Sequence, residues 1–176
     1  MPSCSQARCP TGDNPFTFGQ NEVQALNCSM PSQGAFNVTF RDANESVRIQ
    51  NWFSPEEVEA RLEELHTIRD VRVWFEVHNA SGGPGYAGGV PNNTVCAPGQ
   101  VAYVEFVSEF GDVPLLVTLD DVWGGPMRHD LDVNVSEVRK GTKEDVECSA
   151  NGLCNRDIGM CTCLEGFTSA TDQARA

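Results

Sequence analysis

The sequence predicts an α+β fold: a mainly antiparallel β sheet or sandwich with one helix, followed by a small disulfide-rich module. Three observations carry this. Apolar and polar residues alternate with period two at several places in the first 147 residues, and clean alternation means strands with one wet face, which favours antiparallel pairing. A single segment has helical spacing together with a full set of helix-start signals. Cysteine is unevenly spread: residues 148–176 hold four of the 8 cysteines, and the 147 residues before them hold the other four. The long first part can rest on an ordinary apolar core, whereas the second is too small to fold without covalent staples.

In chain order, residues 1–9 read as a connector bearing Cys4 and Cys9, residues 10–147 as the α+β domain, and residues 148–176 as the disulfide module. The first strand spans 36–40, with Phe36, Val38 and Phe40 on one face and Asn37 and Thr39 on the other. A short alternating run follows at 47–49. The helix comes next. Ser54 supplies its N-cap, Pro55 its first position and Glu57 a capping box, and Val58, Leu62 and Leu65 then recur on one face. Glu56, Glu57, Glu59, Glu63 and Glu64 remain mostly outside, as a solvated face or a site for a cation or partner. Residues 71–77 form the clearest strand, with Val71, Val73, Phe75 and Val77 opposing Arg72, Trp74, Glu76 and His78. The stretch from Asn79 to Gly99, with SGGPGYAGG inside it, is a long loop, either disordered or a docking surface. Segments 101–107 and 113–119 are nearly continuously apolar and read as buried strands, and 133–135 alternates again.

Charge narrows the function. The 176 residues hold 25 Asp and Glu against 12 Lys and Arg, a net charge of −13. Such a chain lacks the positive field that neutralises phosphates, so neither nucleic acid nor an anionic membrane surface is an expected partner. No apolar run reaches the length of a membrane span in this segment. The opening MPSCSQARCP has no apolar signal core, so either a signal has been removed or the sequence is a fragment.

Six Asn-x-Ser/Thr sequons occur, at Asn27, Asn37, Asn44, Asn79, Asn92 and Asn134. Chance placement of so short a motif predicts about 1.4 in this composition, so the excess points to a secreted chain carrying N-linked glycans. Asn37 and Asn134 fall on polar strand faces, where a sugar has room. Asn27 is followed by Cys28, and a disulfide there would hinder modification.

Cys28 and Cys96 are the only cysteines inside the large domain and are paired by elimination; closing that loop stabilises by about 4 kcal/mol on the chain-entropy account. Pairing of either with Cys4 or Cys9 stays open, because spacing does not fix connectivity. The tail reads Cys148-SANGL-Cys154-NRDIGM-Cys161-T-Cys163-LEGF. Its gaps of five and six residues do not match the close knuckles of a zinc site. They resemble the core of an EGF-like module, with Gly166 suited to a tight turn and Phe167 to a minimal core. Two of that family's six cysteines, the first and last, are absent. The resemblance implies a Cys148–Cys161 bridge and leaves Cys154 and Cys163 needing partners. Cys4 and Cys9 of a following repeat would supply them; the simpler alternative is a Cys4–Cys9 loop with free tail thiols.

With CPTGDNPFTFGQNEVQALNC, FNVTF, SPEEVEARLEEL, VRVWFEV, VAYVEFVSEFGDVPLL, CSANGLC and CTCLEGF, nearly the whole chain resembles one repeat of the large extracellular EGF-repeat proteins of stramenopile algae. That group includes proteins of mastigonemes, the stiff hairs on their flagella. The resemblance implies a tandem-repeat structural glycoprotein at the cell or flagellar surface, whose partners are neighbouring repeats, copies of itself and other extracellular glycoproteins. The alternative is an adhesion or receptor ectodomain module that binds a protein or glycan through the 79–99 loop or Trp123.

Catalytic chemistry is not expected. No metalloprotease, serine-hydrolase, P-loop or dinucleotide fingerprint occurs, and His66, His78 and His129 are scattered. Asp120, Asp121, Asp130 and Asp132 flank the VWGGPMRH loop and are candidates for a Ca²⁺ site, against the alternative of solvated acids at a hairpin base.

Overall fold

The computed structural model of the chain describes residues 7–29, 34–77, 94–97, 99–120 and 132–168. In chain order the elements are β1 (Thr11–Gly12), β2 (Val23–Ser29), β3 (Ala35–Thr39), β4 (Val47–Gln50), α1 (Pro55–Leu62), β5 (Val71–Val77), β6 (Gln100–Phe106), β7 (Val117–Asp120), β8 (Asp132–Arg139), β9 (Val146–Glu147), one 3-10 turn at Cys148–Ala150, β10 (Gly152–Asn155) and β11 (Met160–Cys163). Every strand pair is antiparallel, and α1 is the one α-helix among the described residues, in keeping with the α+β expectation.

The chain divides into two compact units, Asn21–Gly141 and a smaller one built from Met1–Gln20 together with Thr142–Ala176. The divisions fall at 20/21 and 141/142 rather than at 9/10 and 147/148. The reason is pairing across the sequence: β1 bonds to β9, with Thr11 opposite Glu147 and Gly12 opposite Val146, so both flanks of the large domain belong to the small unit.

The larger unit is a two-sheet sandwich. One sheet has the order β5-β6-β2-β8 and the other β4-β3-β7. Leu26, Val73, Ala102, Val104 and Phe106 from the first share one core with Phe36, Val38, Val47 and Ile49 from the second, and Phe40 stacks on Phe106 with ring centres 5.0 Å apart. Val58 and Leu62 of α1 are fully buried in the same core.

The helix starts as its sequence dictates. Ser54 Oγ accepts the Glu57 backbone N–H at 3.3 Å, and the Glu57 carboxylate accepts the Ser54 N–H at 2.8 Å. It ends at Leu62, one turn before Leu65, which lies in the following turn yet stays buried. Glu59 and Glu63 are not idle on the surface. Their carboxylates accept the backbone N–H groups of Val73 (3.1 Å) and Val71 (3.2 Å). β5 is the edge of its sheet, and these two acids occupy ladder donors that would otherwise template another strand.

Two strands depart from expectation. β2 is an interior strand of the four-stranded sheet, although no simple apolar alternation marks it. Its inward positions run Gln24, Leu26, Cys28, with Glu22 just before, and both polar side chains are fully buried. They are satisfied by the neighbouring segment: Glu22 accepts from Val113 N at 2.8 Å, while Gln24 accepts from Leu116 N at 2.8 Å and donates to Pro114 O at 3.0 Å. That same exchange explains why 113–119 is a strand only over Val117–Asp120. The backbone of 113–116 bonds to the side chains of Glu22 and Gln24 instead of a ladder, and Pro114 has no N–H to give one.

Candidate functional site: the disulfide unit and the sequon faces

The small unit is held by covalent and ladder contacts rather than by a core. β10 and β11 form a hairpin that places Cys154 opposite Cys161. Cys148 is bonded to Cys161, the bridge that the EGF resemblance implies. Cys154 is bonded to Cys9 of the same chain, across 145 residues. That bond replaces both earlier expectations for these residues, a Cys4–Cys9 loop and a Cys154 bridge into a following repeat. The β1–β9 ladder brings Cys9 to the tail, and Cys148 N donates to Pro10 O at 2.9 Å beside it. Cys163 is exposed and has no disulfide partner among the described residues; Cys4 lies outside them.

Local backbone geometry supports the staples. Cys148, Ser149 and Ala150 all have positive φ, at 52°, 52° and 57°, so three successive non-glycine residues form a left-handed turn. Isolated, such a turn is costly. Here the Cys148–Cys161 bond pins one end, and Asn151 closes the other through its N–H to Cys148 O and its amide to Ser149 O. Gly159, with φ of 68°, closes the β10–β11 hairpin where a Cβ would lie 2.9 Å from Ala7 and 3.0 Å from Arg8 O. Phe167 packs edge-on against Phe16, with ring centres 5.6 Å apart, as the only aromatic pair of the unit among the described residues.

The sulfur atoms of Cys9, Cys148 and Cys161 lie close together, but each is spent in a disulfide and offers no thiolate to a metal. The zinc set Cys148, Cys154, Cys161 and Cys163 is therefore reduced to a single thiol. Among the Ca²⁺ candidates, Asp120 ends β7 and Asp132 begins β8; Asp121 and Asp130 lie outside the described residues. Three other acids do converge, Glu22, Asp112 and Glu137, and their cation is Lys140, whose amine meets Asp112 at 2.5 Å. Hydrogen bonding to Asp112, together with its charge, raises the Lys140 pKa.

The sandwich unit carries Cys28–Cys96, which ties β2 to the segment before β6. Val95 and Cys96 are buried there, so the end of the 79–99 loop is pinned; residues 79–93, Trp123, His78 and His129 lie outside the described residues. His66 is exposed and paired with Glu45.

Sequons fall on three surfaces. Asn44 sits in an exposed turn, its side-chain amide donating to Asp42 at 3.0 Å. Asn37 is half-buried on the outer face of the three-stranded sheet, opposite Leu119. Asn27 and Asn134 are both exposed and are direct cross-strand partners on the outer face of the four-stranded sheet. Asn79 and Asn92 lie outside the described residues. The same outer face carries Trp74 stacked on Tyr103, with ring centres 5.4 Å apart. Beside them Glu105 bonds Arg139 at 2.8 Å and reaches Arg72 at 3.7 Å.

No helix among the described residues is long and apolar enough to cross a membrane. The chain matches no protein-family description, no curated protein and no solved structure.

Proposed function

We propose that the chain is a structural building block of an extracellular glycoprotein filament resembling a mastigoneme hair, with the EGF-like unit as its joint. The observation that carries this reading is the small unit itself. Residues from both flanks of the sandwich are stapled into it, and it presents an exposed thiol at Cys163. It also exposes the side chains of Phe16, Phe18, Leu153, Ile158 and Met160, apolar groups that a neighbouring copy would cover. Contacts made head to tail between successive copies are heterologous and propagate as an open fibre. The three disulfides among the described residues fit an oxidising compartment, the sequons fit glycan cover, and the net charge of −13 opposes nonspecific clumping.

A second reading, an adhesion or receptor module that binds a glycan, is favoured by the Trp74–Tyr103 stack on the outer sheet face. Electron microscopy of the native protein isolated without reductant, with disulfide mapping of the same sample, separates the two. Regular filaments in which Cys163 is bridged to another copy or repeat support the first. Monodisperse particles with every bridge inside one repeat overturn it. Saturable glycan binding that Trp74→Ala abolishes would then support the second.

A further inference from the structure

The register of the four-stranded sheet brings two sequons to one place. Asn27 lies in β2 and Asn134 in β8, 107 positions apart in sequence, yet they are paired residues of the same ladder. Paired residues point to the same face, with their Cβ atoms about 5 Å apart. That face is the solvent side, since the intervening positions Leu26 and Cys28 are buried and both asparagines are exposed. Two N-linked sugar chains, each bulkier than any side chain, would have to rise from adjacent points on one pleated surface.

The two asparagines differ in the room they have. β8 is the edge of the sheet, so a sugar on Asn134 can lean outward past it. β2 is interior, paired with β6 on its other side over Val23–Leu26, and there Tyr103 lies opposite Ala25, two positions from Asn27 on the same face. Asn27 therefore has Asn134 directly beside it on one flank and the Trp74–Tyr103 stack one pair along on the other. Its sequon also runs through Cys28, which is buried and bonded to Cys96.

We propose that Asn27 and Asn134 act as one glycan position: the folded molecule carries a sugar chain on one of the pair, with Asn134 favoured, and never on both. A chain modified at both cannot close the β2–β8 ladder and is held back from secretion. The proposal rests on the glycoprotein reading above, and the exposed turn sequon at Asn44, which has no sequon opposite it, serves as the internal control.

The experiment expresses the full chain in a eukaryotic secretory host and measures site occupancy by glycopeptide mass spectrometry in the medium and in the cell-retained fraction. Intact mass of an Asn37→Gln, Asn44→Gln, Asn79→Gln, Asn92→Gln variant counts glycans on the pair directly. Secreted molecules are expected to carry a single glycan there, mostly on Asn134, with double occupancy confined to retained material. Asn134→Gln should raise Asn27 occupancy in the secreted pool several-fold. Doubly modified chains secreted with all disulfides formed would overturn the proposal, as would an Asn27 occupancy indifferent to Asn134→Gln. Secreted protein bare at Asn44 and at every other sequon would instead remove the glycoprotein reading, and this proposal with it.

Discussion

Single residues set the stability of the sandwich and the turn in ways that can be measured one at a time. Glu22 is a fully buried carboxylate that accepts from Val113 N–H and from the Gln24 amide. Glu22→Ala leaves the Val113 N–H unpaired in the interior and the Gln24 amide with Pro114 O as its remaining acceptor, so it should destabilise by about 1–3 kcal/mol, read as a shift of the urea midpoint at unchanged slope. Ala150 shows the opposite case: it is exposed and holds φ at 57°, where a Cβ is unfavourable. Ala150→Gly removes a strain of about 1–2 kcal/mol at the cost of about 0.5–1 kcal/mol in unfolded-chain entropy, so the small unit should become slightly more stable. Titration acts at both ends of the pH scale. Asp42 is held low by the Asn44 backbone N–H, Glu56 by backbone N–H bonding and the Ser54 side chain, and Glu144 by the Thr17 hydroxyl. Carboxylates depressed on folding contribute stability above their unfolded pKa and lose it as pH falls through the folded value. Lys140 is raised by Asp112, so its contribution is complete below its unfolded pKa and is lost as pH rises through the folded one. Stability from these four groups should therefore be flat from about pH 5 to 9 and fall on either side, and Asp42→Asn with Glu144→Gln should blunt the acid limb in a urea series against pH.

At the scale of elements, α1 does two jobs with one acidic sequence. Its capping box starts it, and Ser54→Ala should cost about 1 kcal/mol. Its outward acids Glu59 and Glu63 guard the β5 edge. Replacing both by Ala should speed hydrogen exchange at the Val71 and Val73 amides and promote concentration-dependent association; unchanged protection at those amides would refute the guarding role. The sequence marked the helix start, because capping is a short-range event, and it marked β3, β4, β5, β6 and β8, because each alternates or carries an apolar run. It listed the helix acids without their purpose, since their partners are backbone groups of a strand reached only after folding. It missed β2 because burying Glu22 and Gln24 breaks the apolar rhythm by which a strand is recognised. The apolar run at 113–119 misled in the other direction, because hydrophobicity reports burial and does not by itself report a ladder.

For the whole molecule, the feature least visible in sequence is the insertion of Asn21–Gly141 within the small unit. Periodicity and cysteine spacing are local signals, whereas Cys9–Cys154 joins residues 145 apart and is fixed by the β1–β9 pairing. On the chain-entropy account that bond alone stabilises by about 5 kcal/mol, so Cys9→Ser with Cys154→Ser should unfold the small unit while the sandwich, with its own Cys28–Cys96 bond and core, keeps its near-ultraviolet dichroism. The same bond decides what happens when the chain is pulled from its two ends. Tension entering before Cys9 and leaving after Cys154 passes through two sulfur atoms, and the sandwich between them bears none of it. The bond is a mechanical bypass: a strand of such units would stretch only at its joints, and its folded domains would survive loads that unravel an ordinary tandem array. In a single-molecule stretching experiment the oxidised chain should yield no extension from the sandwich, and reduction should release about 500 Å of hidden contour, at about 3.4 Å for each of the residues the bond encloses.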